Sequence, residues 1–136
     1  MKFNSRMNDF DFFKWIIVKD KINHSEKLNS FQEQELWWCN CGKNVGVEIN
    51  GKDDQFLRPF IVFKKLSQYG FIGIPTTTRE HKGSIWYKKF IINNINEYAV
   101  LSQVRLISTK RLHRKIAKIP DYDFFIIKSS FLNLLS

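Results

Sequence analysis

Acidic residues are scarce in this chain. Thirteen Asp and Glu stand against 22 Lys and Arg in 136 residues, a formal net charge of +9. That balance favours an anionic partner, whether nucleic acid, an acidic protein or a lipid surface. Its plain alternative is a basic surface that serves solubility alone. Cysteine is scarcer still, with only Cys39 and Cys41 in "WWCNCG". On a strand the two side chains share a face, a poor geometry for a disulfide. A lone CxC pair is also a weak metal signal. Both are read as inert thiols, and no metal or cofactor is expected. No apolar run is long enough to cross a bilayer. The N-terminal stretch "MKFNSRMNDFDFFKWIIVKDK" carries Asp9, Asp11 and Lys14 among its apolar residues, so it lacks the uncharged core of a signal peptide. A cytoplasmic protein without membrane contact is expected. The common catalytic signatures are missing too. There is no GxGxxG, no P-loop lysine and no HExxH. His24, His81 and His113 are scattered, and no Ser/His/Asp triad assembles. No repeat or low-complexity segment appears.

What is present suits one small domain with a modest core. Hydrophobic residues make up 43% of the chain, which excludes a disordered polymer. Thirteen Phe and four Trp supply core, with some left to stack on bases. Residues 9–22, "DFDFFKWIIVKDKI", predict a helix, with Asn8 or Asp9 as its cap. Residues 23–30 read as a polar linker. Strand signals begin at "ELWWCN" from Glu35. Trp37 and Trp38 then point to opposite faces, which puts at least one in the core. A glycine-punctuated stretch, "CGKNVGVEINGKDDQ", carries an Asn50-Gly51 turn signal. Further strands follow in "FLRPFIVFKKL", "FIGIPTTT", "SIWYKKFIINN" and "YAVLSQVRLI", with "INE" read as a turn. "STKRLHRKIAKI" fits either a helix or a last strand. After Pro120 a helix is predicted, with Asp121 as cap and Phe124, Ile127, Phe131, Leu134 and Leu135 at helical spacing. The sum is an α+β chain, mainly β: a small SH3-like antiparallel barrel with an N-terminal and a C-terminal helix. Residues 1–33 form the helical extension and linker, and residues 34–136 the barrel domain.

Such barrels leave functional side chains at strand ends and loops. Arg58, Thr77, Thr78 and Gln103 fall there. Arg58-Pro59 opens an apolar run, Phe60 to Phe63, at a place where Pro is tolerated. One arginine, hydroxyls after a proline and a glutamate in a glycine-rich turn cannot attack a peptide bond. They suffice for RNA, which brings its own nucleophile in the 2′-hydroxyl. Arg offers phosphate a planar fork, and hydroxyl donors add electrostatic stabilisation.

Three blocks, "GVEINGKDDQFLRPFIV", "GIPTTT" and "LSQVRLI", resemble in order those of the MazF/PemK-type toxins, the endoribonucleases of type II toxin–antitoxin systems. The resemblance extends from about Leu36 to the C-terminal helix. It implies that Arg58, Thr77 and Glu48 are catalytic, with Thr78 beside Thr77 and Glu48, the glutamate of the turn, positioning Arg58 or assisting proton transfer. It implies RNA contact by Thr78, Gln103 and Arg105. It also implies single-stranded RNA as substrate, an antitoxin as partner, and a homodimer. The sequence departs from the pattern in four places, the first being the N-terminal helix and linker, residues 1 to about 33, which exceed the minimal toxin. Ile49 stands where the family often has Gln. The loop between Gly51 and Arg58 is longer, with Lys52, Asp53 and Asp54. Ser102 occupies the position where some members carry a catalytic Asp, which leaves the general base open.

Each residue has a plainer alternative. Arg58 could close the turn by a salt bridge to Glu48 or Asp54. Glu48 could only orient Arg58. Thr77 and Thr78 suit a strand regardless of chemistry. Gln103 could be a satisfied polar group. His81 in "TREHKG" fits a solvated loop better than an RNA contact. The segment Arg105 to Lys118 includes Lys110 and Arg111 and no acidic residue. It is a phosphate track, a docking surface for an acidic antitoxin tail, or a solvated face. Two rival functions remain beside a nuclease: a barrel toxin that poisons a topoisomerase without cutting, and a nucleic-acid-binding module without toxicity.

Overall fold

The computed structural model describes residues 4–136, with side chains from residue 10 onward. Two helices and seven strands follow one another: α1 (Asn4–His24), β1 (Glu35–Asn40), β2 (Leu57–Ser67), β3 (Gly70–Thr77), β4 (Tyr87–Ile92), β5 (Ile95–Val100), β6 (Arg105–Ser108), β7 (Leu112–Lys118) and α2 (Asp121–Leu135). Every strand pairs antiparallel along the path β4-β5-β3-β2-β1-β7, with β6 added to β3. The central strand β3 branches. Its first half, Gly70 to Gly73, pairs with β6, and Thr76 and Thr77 pair with β5. The branch folds the sheet over itself. This is the small bent antiparallel barrel that the sequence predicts, open between β4 and β7 at the ends of the path.

The apolar run of β2 is explained by burial on both faces. Ile61 and Phe63 join a cluster with Leu36, Ile74, Phe90 and Ile127. Phe60 and Val62, on the other face, join Phe31, Trp37, Phe71 and Ile107. A strand buried on both sides reads as a continuous apolar run rather than an alternation. Trp37 is core, and Trp38 on the opposite face is only partly buried. Helix α2 lays Phe124, Ile127, Phe131 and Leu134 on the first cluster. Leu135 is exposed, because it sits about 100° round the helix from Leu134.

Several local expectations are corrected. The turn lies at Asn93-Asn94, both with positive φ (51° and 63°), and "INE" is the start of β5. Two adjacent left-handed residues make the hairpin turn that suits strand twist, and Asn tolerates that region. "SIWYKKFIINN" becomes strand only at Tyr87, and "YAVLSQVRLI" is broken by a 3-10 turn at Leu101–Gln103. The undecided "LHRKIAK" segment is strand β7. Asp121 does not cap α2. Its carboxylate accepts from Gln34 Nε2 (2.6 Å) and lies in the first turn, where negative charge favours a helix N-terminus.

Helix α1 is longer than predicted and runs through Asn8 and Asp9, so neither is its cap. Among the described residues it docks through the Trp15 ring and, at its C-terminal end, through Asn23 O, which accepts from Lys110 Nζ (2.9 Å). Trp15 is buried against Phe56 (ring centroids 5.5 Å apart) and against Gly42, where any Cβ would overlap the indole. Among the described residues no helix is long and apolar enough to cross a membrane. The segment after α1 packs on the barrel through Phe31. Phe31 is 1% exposed, packs on Phe71 (5.3 Å) and carries Lys65 Nζ over its ring (4.5 Å). Phe31→Ala is expected to cost about 3–5 kcal/mol of stability. Urea unfolding of the full chain measures it, and a loss of under about 1 kcal/mol would show that Phe31 is not a core residue.

Candidate active site

The loop 41–56 between β1 and β2 positions the site. It doubles back on itself through backbone bonds. Cys41 and Gly42 N–H both donate to the Phe56 carbonyl (2.8 and 3.2 Å), and Gly51 N–H donates to Gly42 O (2.7 Å). Lys52 and Leu57 exchange two bonds (2.8 and 2.7 Å). Asn44 donates its backbone N–H to Asn50 Oδ1 (2.6 Å) and its side-chain amide to Ile49 O (2.7 Å). At Gly51 a Cβ would overlap the Phe56 carbonyl, so only glycine allows this approach. Phe56 itself takes φ of 53°, an uncommon value for a bulky side chain, at the place where Trp15 packs on it. Strain of this kind persists only where surrounding contacts enforce it.

Two residues beyond Phe56 comes Arg58. Its Nε donates to Asn50 O (2.6 Å) and its Nη1 to Thr76 O (3.2 Å). Nη2 has no hydrogen-bond partner among the described residues. The salt bridge to Glu48 or Asp54 weighed above does not form; carbonyl oxygens orient the guanidinium instead. Burial lowers the Arg58 pKa, and the nearby Cys41 and Glu97 side chains oppose the shift.

Arg58 lines a cavity of about 230 Å³ with Thr77, Thr78, Trp38, Lys52 and Glu97. Thus the structure brings together Arg58 and the two threonines singled out in the sequence. It also adds Glu97, which the sequence reading missed. Glu97 is 8% exposed, and its Oε1 accepts from the Thr76 hydroxyl (2.9 Å). Burial raises its pKa, against the Thr76 hydrogen bond and the charge of Arg58. The signal lay in the hairpin. Once the turn is set at Asn93-Asn94, Glu97 becomes a carboxylate inside a strand, directly across from Phe90.

Glu48, Gln103 and Arg105 line a second cavity, with Asn44, Val47 and Ile49. Glu48 is exposed, and its carboxylate accepts from Val45 N–H (3.0 Å), closing its own turn. Gln103 spans from the 3-10 turn to the loop. Its Oε1 accepts from Ile49 N–H (2.6 Å), and its Nε2 donates to Val47 O (3.0 Å). The loop therefore stands between the two cavities, with Ile49 tied to Gln103 and Asn50 tied to Arg58.

The basic segment is tied to the chain. Lys110 Nζ donates to Asn23 O at the end of α1 (2.9 Å). Arg111 Nη1 donates to Asn40 O and Cys41 O (2.9 and 3.3 Å), and its guanidinium lies 5.6 Å from the Trp15 ring. His81 stacks on Tyr87 (3.9 Å between centroids). Burial pushes the thiols of Cys39 and Cys41 up, which disfavours their thiolates. Among the described residues no group of three or more His, Cys, Asp or Glu could hold a metal ion.

The family described as PemK-like, MazF-like toxin of type II toxin–antitoxin system matches residues 32–135. No curated protein matches the chain. Among solved structures, MazF from Deinococcus radiodurans is similar with a TM-score of 0.64 at 17% identity, over 81% of this chain and 98% of that one. The MazE–MazF complex from the same organism gives 0.59 at 16% identity, over 79% and 97%. A mycobacterial endoribonuclease in complex with its cognate antitoxin gives 0.58 at 8% identity, over 78% and 95%. At these identities the likeness is one of fold. The matched family segment begins after α1.

Removing the Gln103 brace tests how the loop is held. Gln103→Leu leaves the Ile49 N–H and Val47 O without their partner, at a cost of about 1–3 kcal/mol. Amide exchange at Ile49 should accelerate at least about tenfold while core amides of β2 stay protected. Unchanged exchange at Ile49 would show that the loop holds its shape without Gln103.

Proposed function

We propose, from the premise that this chain belongs to the PemK-like, MazF-like toxins of type II toxin–antitoxin systems, that it is a sequence-selective endoribonuclease. It cuts single-stranded RNA in the cytoplasm without a metal ion. The observation that carries this reading is Arg58. A guanidinium is fixed by two carbonyls at the wall of a cavity, with Nη2 unspent and two threonines beside it. Such a group has little to do for the fold and much to offer a phosphate.

The chemistry follows from the substrate. The 2′-hydroxyl oxygen attacks the adjacent phosphorus, the bond from phosphorus to the 5′ oxygen breaks, and a 2′,3′-cyclic phosphate remains. Arg58 clamps the phosphate oxygens as charge builds on them and, with Nη2 unspent, gives the leaving oxygen a proton. Thr77 donates its hydroxyl to the same developing charge. Thr78, exposed on the cavity rim, contacts the strand. Glu48 acts as a positioning residue, through the turn that leads to Asn50 and so to Arg58. Gln103 fixes the loop, and Arg105 contacts RNA at the second cavity. Lys110 and Arg111 add fixed positive charge to an RNA track. The net charge of +9 also suits an acidic antitoxin. A homodimer is the proposed assembly.

Purified chain, free of antitoxin, is incubated with a long single-stranded RNA in EDTA. Discrete fragments ending in cyclic phosphate are expected. Arg58→Ala should slow cleavage by about 10²–10³-fold or more with the fold intact. Arg58→Lys should not restore it, because a lysine lacks the planar fork that reaches both carbonyls. Intact RNA with folded wild-type protein would overturn the nuclease reading. Toxicity that survives Arg58→Ala would point to a barrel toxin that cuts nothing.

A further inference from the structure

We propose that Glu97 is the proton acceptor of the cleavage reaction, taking the proton of the attacking 2′-hydroxyl. The inference rests on the ribonuclease reading of the cavity and supplies the base which that reading leaves open. Ser102, where some MazF/PemK-type toxins carry an acid, is exposed and lines the second cavity, away from Arg58.

The geometry begins with Thr76, whose two ends hold the two groups. Its carbonyl accepts from Arg58 Nη1 (3.2 Å), and its hydroxyl donates to Glu97 Oε1 (2.9 Å). A single buried residue thus fixes the guanidinium and the carboxylate relative to each other. Both line the cavity that also holds Thr77. Among the described residues none donates a hydrogen bond to Glu97 Oε2, and it is not among the sealed, unpartnered atoms of the interior. It is open to whatever enters the cavity.

A second buried glutamate shows what a structural carboxylate looks like here. Glu35 is 9% exposed, close to Glu97. Both its oxygens are taken: Oε1 by Trp37 Nε1 (3.0 Å) and Gln32 N–H (2.8 Å), Oε2 by Lys115 Nζ (2.8 Å). Burial pushes its pKa up, but these donors outweigh burial and leave it lowered. Glu97 has one neutral donor, and burial wins. A buried carboxylate with one spare oxygen, facing a cavity, costs stability and is suited to proton transfer. The charged groups that line the cavity with it are Arg58 from β2 and Lys52 and Asp53 from the loop. From β3 and β4 it meets Thr76 and Phe90, neither of them ionisable near neutral pH.

The step balances. Glu97 Oε2 takes the proton from the 2′-hydroxyl, whose oxygen forms the new bond to phosphorus. The bond from phosphorus to the 5′ oxygen breaks, and its electron pair goes to that oxygen. Arg58 Nη2 gives the leaving oxygen a proton. Solvent then carries the Glu97 proton away and returns one to Arg58, so both groups reset without any further reactant.

The test is the RNA-cleavage rate of the full chain against pH, for wild type, Glu97→Gln and Thr76→Val, with thermal unfolding alongside. A base must be ionised, so wild-type activity should fall as pH drops through the Glu97 pKa. Glu97→Gln should lose about 10²–10⁴-fold at neutral pH and lose that acidic limb. The raised pKa means that the folded state binds the proton more tightly than the unfolded chain. The charged form therefore costs stability above the folded pKa, and this cost fades as pH falls through it. Glu97→Gln removes it, and should unfold at a higher temperature than wild type at about pH 8, with the advantage lost in acid. Thr76→Val removes the hydrogen bond that the Glu97 carboxylate receives from Thr76, the one it has among the described residues, and should move the acidic limb to higher pH. Cleavage by Glu97→Gln at the wild-type rate and with the same pH profile would overturn the proposal and leave the nuclease reading standing. If Glu97→Gln does not fold, an unmoved limb in Thr76→Val overturns it. Failure of wild type to cleave RNA at any pH overturns both.

Discussion

The hydrogen bonds from Arg58 to two backbone carbonyls, Asn50 O and Thr76 O, are the constraint on which the site depends. A carbonyl orients a guanidinium without neutralising it. A carboxylate partner would hold the side chain as firmly but cancel the charge that an anion needs. The positive charge therefore stays available, at the cost of partial burial, which the lowered pKa records. Asn50 must then be held, and the rest of the loop does this. Gly51 approaches the Phe56 backbone, Asn44 binds Asn50 and Ile49, and Gln103 binds Ile49 and Val47. Trp15 from α1 packs on Phe56, the residue with the uncommon φ. The chain of dependence runs from a helix outside the matched family segment to the carbonyl beneath the guanidinium.

The barrel supplies the other carbonyl. Thr76 lies where β3 leaves its pairing with β2 and takes up β5. A flat sheet would leave that residue on an open face. Here the branch at β3 folds the sheet, and the hairpin of β4 and β5 brings Glu97 up to the Thr76 hydroxyl. Burial of β2 on both faces fixes the strand that begins with Arg58, so the guanidinium stands on a rigid base.

Much of this was legible in the chain. Arg58-Pro59 before a run of four apolar residues, the Pro75-Thr76-Thr77-Thr78 stretch and the Asn50-Gly51 turn are local signals, and each sits where its local chemistry puts it. The family and the mainly β fold followed from the same blocks. What was illegible depended on pairing. A two-residue error in the turn after Ile92 hid Glu97, because a glutamate placed in a turn looks solvated. Glu48 read as a partner for Arg58, yet its carboxylate turns back to Val45. Gln103 finds its loop across more than 50 positions of sequence (|i−j| of 54 and 56), which no local pattern encodes. Arg111 looked like surface charge, and its bonds to the Asn40 and Cys41 carbonyls appear only when β7 lies beside β1.

The central claim is that the free protein already holds Arg58 rigid and charged, before any ligand arrives. The most direct measurement is 15N relaxation of the Arg58 Nε–H group in the free chain at neutral pH. The account predicts a resolved, slowly exchanging signal with an order parameter near about 0.85, as for ordered backbone. An order parameter below about 0.6, or a signal averaged with solvent-exposed arginines, would contradict it. The guanidinium would then be ordered only by its ligand, and the loop would not be its cradle.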